Sequence, residues 1–367
     1  MKIGITGSGG LLGFHMRALL HTLPRHEALL ADRTVFSSDE ALDAIVRGAE
    51  AIVHFAGVNR SSEAEVETAN AAIAERLVTA MERCGTTPTV VYANSIHSER
   101  DTPYGRGKRR AAEIFAAGAA RSGARFVDAV LPHVFGEFGK PFYNSVVSTF
   151  CHQLAAGQEP RIDNDSQLEL AHAQDVARFC LAAIEDGESG AIRFTGAPIT
   201  VGALLEKLKR QKHQYDGKLM PDLEEPLDLR LFNTLRSYLY PGYYPVGLDL
   251  RSDNRGSLFE AIKSEHGGQV FLSSTVPGAT RGNHFHTRKI ERFLVVAGEA
   301  EIRLRKLFTD SVDTFRVSGA RPCFIDMPTF HTHSIQNVGN SEVITLFWAN
   351  EIYDPANSDT YSEQVLM

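Results

Sequence analysis

The stretch ITGSGGLLG, residues 5 to 13, decides the fold of the first half of the chain. Three of its glycines, Gly7, Gly10 and Gly13, are spaced three residues apart, after the apolar run KIGIT and before a helical pattern. Glycine at these points lets the backbone turn tightly, approach a pyrophosphate and pack the following helix, whose N-terminal amides face the anion. The stretch therefore predicts a nucleotide-binding turn between a strand and a helix.

The rest of the chain divides into two halves of different character. Up to about residue 240, apolar runs such as AIVHFAG (51 to 57), TVVYANS (89 to 95) and RFVDAVLP (125 to 132) alternate with helical patterns, as in a parallel sheet covered by helices. After YPGYYPVG (240 to 247), β-type runs separated by glycine and proline predict an antiparallel sandwich or barrel. We predict an α/β domain at 1–243 and an all-β domain at 244–367.

The composition excludes several classes of protein. Hydrophobic content of 43% and charged content of 23% are typical of a soluble globular protein. No apolar run is long enough to cross a bilayer, and no signal peptide opens the chain, so we expect a cytoplasmic protein without membrane partners. A net charge of −7 argues against a nucleic-acid partner. The four cysteines form no C-x-x-C pair, so neither a thiolate zinc site nor a disulfide framework is indicated.

A second motif, PYGRGK, suggests proton transfer. Tyr104 and Lys108 stand four residues apart on a predicted helix, hence on one face. A lysine ammonium beside a tyrosine favours the phenolate and lowers the tyrosine pKa, which would let Tyr104 donate and accept a proton near neutral pH. Ser95 ends the strand TVVYANS, where its hydroxyl would hydrogen-bond a substrate carbonyl. The order of glycine turn, serine, tyrosine and lysine predicts an oxidoreductase.

With these residues in this order, the first half resembles the extended short-chain dehydrogenases/reductases, which have a Rossmann-like parallel sheet. HFAGVNR (54 to 60) resembles that family's loop beside the adenosine of the cofactor, and Asn70 is expected to open a helix as its family counterpart does. The resemblance implies that Ser95, Tyr104 and Lys108 form the catalytic triad, with Tyr104 passing a proton while nicotinamide passes a hydride.

One departure from the family narrows the chemistry. Sugar-nucleotide dehydratases of this family carry an acidic pair directly after the serine or threonine, whereas Ile96 and His97 follow Ser95 here. Reduction therefore fits better than dehydration.

The cofactor prediction rests on the same resemblance and on the segment PRHEALLADRTVF, residues 24 to 36. This segment lacks a clean strand ending in an isolated acid, which would bind a ribose 2′-hydroxyl, and Arg33 or Arg25 would instead meet a 2′-phosphate. We therefore predict NADPH. The implied cofactor-binding residues are Gly7, Gly10, Leu12, Gly13, Arg33, Ala56, Gly57, Val58, Tyr104 and Lys108.

The second half contains GNHFHTRKIE (282 to 291) and PTFHTHSIQN (328 to 337). Their spacing resembles the two motifs of the cupins, except that Phe330 replaces a glycine. The resemblance implies an all-β cupin barrel. The implied metal ligands are His284, His286, Glu291 and His333. Such ligands suit zinc, iron, manganese or nickel, of which we predict zinc; a metal-free epimerase is the alternative. His331 is a candidate catalytic base, and a histidine at the barrel rim is the equally weighted interpretation.

The segment LRSDNRGSLFEAIK (250 to 263) resembles the entry strand of cupins that epimerise keto-sugar nucleotides. Arg255 would then lie near a pyrophosphate, although a structural turn also accounts for it. Over nearly its full length the chain resembles bifunctional enzymes of capsular polysaccharide biosynthesis. The resemblance implies that the cupin inverts C3 of a UDP-4-keto-6-deoxy-N-acetylhexosamine. The first domain would then reduce the C4 ketone to UDP-2-acetamido-2,6-dideoxy-L-talose, a precursor of N-acetyl-L-fucosamine.

The same resemblance implies a homodimer and a sugar-nucleotide pocket in the reductase. The implied pocket residues are Asn144, Ser145, His172 and Asp175, of which Asp175 would serve equally well as a helix cap. Two other functions stay open. One is a single-function reductase whose cupin binds metal only for folding or dimerisation. The other is a non-enzymatic sensor of dinucleotide, against which the complete set of Ser95, Tyr104 and Lys108 argues.

Overall fold

The computed structural model describes residues 1–254, 256–265 and 267–367. It forms two compact units, a first unit of Met1–Thr149 and Arg161–Leu204 and a second unit of Phe150–Pro160 and Leu205–Met367. The segment from 205 to 243 thus packs within the second unit, while the functional boundary near residue 243 stays a prediction. Within the described residues, no helix combines the length and the apolar character needed to span a membrane.

The helices alternate with strands through the first half of the chain. In chain order the helices are α1 (Leu11–His21), α2 (Arg33–Ser37), α3 (Asp39–Gly48), α4 (Glu63–Cys84), α5 (Pro103–Ser122), α6 (Val146–Ala155), α7 (Ala173–Glu185), α8 (Val201–Asp216) and α9 (Pro226–Leu239). The strands of the first unit are β1 (Lys2–Thr6), β2 (Glu27–Ala31), β3 (Ala51–His54), β4 (Thr89–Ser95), β5 (Phe126–Leu131), β6 (His133–Phe135), β7 (Gln167–His172), β8 (Gly190–Arg193) and β9 (Ala197–Thr200).

The first unit is built on a parallel sheet with the strand order β2-β1-β3-β4-β5-β8. Its central strands are apolar and fully buried, as Ile3, Ile5, Val53 and Val91 illustrate, which is why they are readable as continuous hydrophobic runs. Parallel pairing brings the carboxyl ends of β1, β3 and β4 to one edge of the sheet. The prediction of a Rossmann-like α/β fold is confirmed.

One strand of this sheet was missed from the sequence. The run EALLA forms β2, which pairs in parallel with β1 from Lys2 opposite Glu27 to Thr6 opposite Ala31. The interpretation of this segment as lacking a clean strand that ends in an isolated acid was therefore wrong, because Asp32 directly follows β2. β2 lies at the edge of the sheet and Leu30 is 41% exposed, so the segment shows neither a buried run nor a clean alternation.

The second unit is mostly antiparallel β-structure. Its strands are β10 (Leu219–Met220), β11 (Val246–Gly247), β12 (Arg251–Asp253), β13 (Gly256–Leu258), β14 (Lys263–Ser264), β15 (Gln269–Thr275), β16 (Thr280–Phe285), β17 (Glu291–Ala297), β18 (Glu299–Lys306), β19 (Val312–Ser318), β20 (Cys323–Met327), β21 (His331–Asn337), β22 (Val343–Ala349) and β23 (Tyr361–Ser362). Two five-stranded sheets, β11-β20-β17-β22-β15 and β19-β18-β21-β16-β23, share one core that includes Phe293, Ile302, Phe324 and Ile335. This is the cupin-like barrel expected from the sequence.

Candidate functional site

The glycine turn follows β1 as predicted. Gly7 has a φ of +65°, and a Cβ there would lie 2.8 Å from the backbone nitrogen of Ala56. A Cβ on Gly13 would lie 2.3 Å from the carbonyl oxygen of Gly7, so only glycine allows α1 to start this close to the turn. No side-chain hydrogen bond caps α1 at Gly10. This combination fits a cofactor pyrophosphate at the helix N-terminus.

The loop after β3 is fixed beside this turn. Ala56 donates its N–H to the Thr6 hydroxyl at 3.1 Å. Asn70 accepts from the Val58 N–H at 3.1 Å and donates to the Val58 carbonyl at 3.0 Å. Asn70 lies inside α4, which begins at Glu63, so the expectation that it opens a helix was wrong. Its role is to hold the loop of Ala56, Gly57 and Val58 in place.

The residues after β2 bear on cofactor choice. Asp32 directly follows the strand, and one of its carboxylate oxygens accepts hydrogen bonds from the Thr34 hydroxyl and from the N–H groups of Thr34 and Val35. These bonds lower the pKa of Asp32 and cap α2. Arg33, the first residue of α2, is exposed, whereas Arg25 forms an ion pair with Glu185 at 2.8 Å. Arg33 is therefore the better placed of the two arginines to meet a phosphate.

The predicted catalytic residues converge at the end of β4. Ser95 is the last residue of that strand, and its hydroxyl lies near the hydroxyl of Tyr104 on α5. Burial raises the pKa of Tyr104 to about 12, a shift that the nearby Ser95 hydroxyl opposes. Tyr104 is therefore protonated at neutral pH, as a proton donor must be. Tyr143 lies close enough to contribute to this shift, which places the segment just before Asn144 near the site.

Lys108 shares the buried face of α5 but does not act on Tyr104 as expected. Its ammonium donates to the carbonyl of Ala93 at 2.6 Å and lies 4.4 Å from the centre of the Tyr92 ring. Burial lowers the pKa of Lys108 to about 7. The expected lowering of the Tyr104 pKa was wrong, because desolvation dominates and the ammonium is directed at a backbone carbonyl.

The start of α5 packs closely against the turn that follows β4, and this packing brings Tyr104 near Ser95. The residues Ile96–Glu99 form a single 3₁₀ turn, which begins with a bond from the His97 N–H to the Ser95 hydroxyl at 3.2 Å. A Cβ on Gly105 would lie 2.3 Å from the Arg100 carbonyl oxygen and 2.4 Å from that of His97. Glycine next to Tyr104 is thus what lets α5 start against this turn. The sequence shows this glycine, but not the carbonyls that it meets.

The predicted sugar-nucleotide residues have diverse surroundings. Asn144 is exposed and Ser145 accepts from the Ser148 N–H at 3.3 Å. His172 is buried, with its Nδ1 accepting from the Gln174 N–H and its Nε2 2.9 Å from the Glu137 carboxylate. Asp175 pairs with Arg178 at 3.0 Å. Arg255 lies outside the described residues.

The four predicted metal ligands meet at one point of the second unit. Candidate ligand atoms of His284, His286, Glu291 and His333 all lie within 4.8 Å of one another. His284 and His333 come from neighbouring strands of one sheet, and Glu291 begins a strand of the other. One Glu291 oxygen is 3.2 Å from Nε2 of His286, 3.6 Å from Nε2 of His333 and 3.8 Å from Nε2 of His284. One ion would therefore join both sheets.

The chemistry of this set fits a divalent metal. Nε2 of His286 is buried and makes no hydrogen bond of acceptable geometry despite its closeness to Glu291. Burial lowers the pKa of His333 to about 4. Burial opposes the charge on Glu291, yet the surrounding imidazoles hold the pKa of its carboxyl well below the usual range. At neutral pH the set therefore offers a neutral imidazole at His333 and a carboxylate at Glu291, the forms that bind metal.

His331 lies outside this set of four. It is buried, its ring is 4.6 Å from that of Tyr240, and its Nδ1 donates to the Thr329 carbonyl at 3.0 Å. The neighbouring Phe330 adopts a φ of +60°, the conformation that the glycine of the cupin motif would favour. A cavity of about 360 Å³ opens beside Glu291. It is lined by Gln269, Phe271, Lys289, Glu291, Ala349, Glu351, Tyr353 and Ser358.

Comparisons with known proteins agree with this two-part construction. Residues 3–194 match the NAD dependent epimerase/dehydratase family, and residues 251–361 match the polysaccharide biosynthesis C-terminal domain. A UDP-2-acetamido-2,6-beta-L-arabino-hexul-4-ose reductase from Pseudomonas aeruginosa is 31% identical over 99% of this chain and 98% of its own length.

Solved structures give the same result. The capsular polysaccharide assembling protein CapF from Staphylococcus aureus is 31% identical with a TM-score of 0.64, and all of both chains is covered. A UDP-N-acetylglucosamine 4-epimerase from Bacillus cereus covers 66% of this chain and 96% of its own, with 17% identity and a TM-score of 0.54, a likeness of fold alone.

Proposed function

Because the chain belongs to the NAD dependent epimerase/dehydratase family, we propose that its first unit reduces the C4 ketone of a UDP-linked 4-keto-6-deoxy-N-acetylhexosamine with NADPH. The observation that carries the proposal is the meeting of Ser95 and Tyr104 at the carboxyl edge of the sheet that also carries the glycine turn. The family implies a nicotinamide cofactor and an enzyme that acts on sugar nucleotides. The proposed substrate is inferred from the Pseudomonas relative, which is a UDP-2-acetamido-2,6-beta-L-arabino-hexul-4-ose reductase.

The side chains divide the work of this reduction. The bound cofactor supplies the hydride. Ser95 orients the ketone by donating to its oxygen, and Tyr104, kept protonated by burial, gives that oxygen a proton. Lys108 contributes a buried positive charge near the pair when it is protonated. The glycine turn and the loop of Ala56, Gly57 and Val58 would hold the dinucleotide.

NADPH is proposed over NADH on the basis of Arg33. An exposed guanidinium at the start of α2 suits a ribose 2′-phosphate, whereas an acid at the end of the second strand suits a free 2′-hydroxyl. Asp32 occupies that acidic position, but one of its oxygens already binds Thr34 and Val35. A steady-state comparison of the two cofactors tests the choice, and a preference for NADH would overturn it.

The second unit is proposed to epimerise C3 of the same substrate before reduction, giving UDP-2-acetamido-2,6-dideoxy-L-talose as the final product. The 4-ketone makes the C3 hydrogen acidic, so one carbonyl serves both steps. The cavity beside Glu291 supports access of a sugar to this region. We propose His331 as the base, Arg255 as a pyrophosphate contact, and zinc as the ion held by His284, His286, Glu291 and His333.

The remaining proposals concern binding and assembly. Asn144, Ser145, His172 and Asp175 are proposed to serve the reductase's sugar-nucleotide pocket, supported for the first two by the nearness of Tyr143 to Tyr104. A homodimer is proposed from the family resemblance, and light scattering of the purified chain tests it.

The central experiment incubates the chain with UDP-4-keto-6-deoxy-N-acetylhexosamine in deuterated water and follows the sugar by NMR. Without NADPH, we expect deuterium at C3 and an inverted centre. With NADPH, we expect loss of the C4 ketone. Reduction without any C3 exchange would leave a single-function reductase with a structural barrel, and absence of both reactions would overturn the whole proposal.

A further inference from the structure

Three consecutive residues that are distant in sequence from the metal ligands contact the segment between two of those ligands. We name Ser358, Asp359 and Thr360 the 358–360 clasp. The central residue, Asp359, is 4% exposed and has a φ of +46°, a conformation rare outside glycine. A buried carboxylate in such a conformation must be held by specific partners, because its burial is costly without them.

Those partners all belong to the loop that joins two of the ligands. The Asp359 carboxylate accepts from the Thr287 N–H at 3.1 Å and the Thr287 hydroxyl at 2.7 Å. It also accepts from the N–H groups of Arg288 and Lys289, both at 2.8 Å. One side chain thus holds three of the four residues between His286 and Glu291.

The backbone of the clasp sets the tautomer of one ligand. Nδ1 of His286 lies 2.7 Å from the carbonyl oxygen of Asp359, which can only accept, so Nδ1 carries the proton. In the neutral ring, Nε2 is then the unprotonated nitrogen, and it is this buried Nε2 that faces the other ligands. The clasp therefore aims a lone pair at the point where the four ligands meet.

The clasp also orients the carboxylate ligand through Lys289. The Lys289 ammonium donates to the Ser358 carbonyl at 3.2 Å and the Thr360 hydroxyl at 3.0 Å. It lies 3.4 Å from one oxygen of Glu291, while the other oxygen faces the imidazoles. Held at one oxygen, Glu291 presents the second to the point where the four candidate ligands meet.

From these contacts we propose that Asp359 is a positioning residue for the metal centre. The clasp orients His286 and Glu291 for an ion before that ion binds. The inference rests on the metal centre of the proposed function. Removing groups that orient metal ligands costs about 10- to 100-fold in metal affinity. We expect a loss of this size for Asp359→Ala.

The test measures zinc affinity of the metal-free full-length chain by competition with a chromogenic chelator. Asp354→Ala is the matched control, because the Asp354 carboxylate accepts one N–H, from Ala356 on the same segment, and the residue lies in an exposed turn. Thr287→Val removes only the hydroxyl donor to Asp359 and should weaken zinc binding less than Asp359→Ala. Circular dichroism confirms that each variant is folded, and Thr287→Val carries the test if Asp359→Ala does not fold.

The outcomes separate the inference from its premise. Weaker zinc binding in Asp359→Ala and Thr287→Val, with native binding in Asp354→Ala, supports the clasp. Native zinc affinity in a folded Asp359→Ala or Thr287→Val variant overturns the clasp and leaves the metal centre intact. Absence of zinc binding by the unmutated chain overturns the metal centre and the clasp with it.

Discussion

Replacing Gly105 with alanine is expected to lower kcat for ketone reduction by about 100-fold, because a displacement of about 1 Å at a catalytic group costs roughly that factor. The new Cβ would lie 2.3 Å from the Arg100 carbonyl oxygen, about 1 Å short of the 3.4 Å at which ordinary contact begins. The two atoms that the Cβ would meet, the carbonyl oxygens of Arg100 and His97, both belong to the backbone, so no flexible side chain can move aside. The start of α5 must shift, and Tyr104 shifts with it. A 100-fold loss corresponds to about 2.7 kcal/mol of transition-state stabilisation.

Single-turnover NADPH oxidation with saturating keto-sugar measures this loss. Exchange of deuterium into C3 in the absence of NADPH serves as an internal control, because it is assigned to the second unit and should stay native. Gly242→Ala is the matched control variant, since a Cβ there meets no atom within 4 Å. A folded Gly105→Ala protein that reduces the ketone at the native rate would refute the reasoning, because the pairing of Tyr104 with Ser95 would then not depend on this close approach.

Four further outcomes are expected. Tyr104→Phe should reduce NADPH oxidation by about 10² to 10⁴ while C3 exchange persists, and near-native turnover would remove Tyr104 from the mechanism. The kcat/KM for NADPH should fall as pH rises through about 7, where buried Lys108 loses its proton. Lys108→Arg should move this fall to higher pH. The same pH profile in Lys108→Arg and in the unmutated chain would show that the titration of Lys108 does not control the reaction. Arg33→Ala should raise KM for NADPH more than for NADH, whereas equal effects would argue against a 2′-phosphate contact. His284→Ala should release the metal and lower the melting temperature of the second unit more than that of the first, and elemental analysis finding no metal in the unmutated chain would contradict this.

What could be predicted from the sequence was local. The glycine turn, the placement of Ser95 near Tyr104 in one catalytic set and the meeting of His284, His286, Glu291 and His333 follow from short motifs, whose spacing on a strand or helix largely determines their geometry. β2 was missed because an edge strand has little buried pattern to read. The direction of the Tyr104 pKa shift was missed because burial and the carbonyl that receives Lys108 are properties of the packed fold. Asp359 was missed because its contacts span about 70 residues and belong to no motif.

The position of Asp359 in the chain also sets an order of events during synthesis. All four metal ligands are translated by residue 333, but the clasp emerges only later, and at ribosomal speeds of about 5 to 20 residues per second the interval is on the order of seconds. During that interval the nascent chain holds histidines without the groups that aim them. Metal binding is therefore expected to be a late step in the maturation of this protein. This order would limit the binding of a wrong ion by a barrel whose synthesis is not complete.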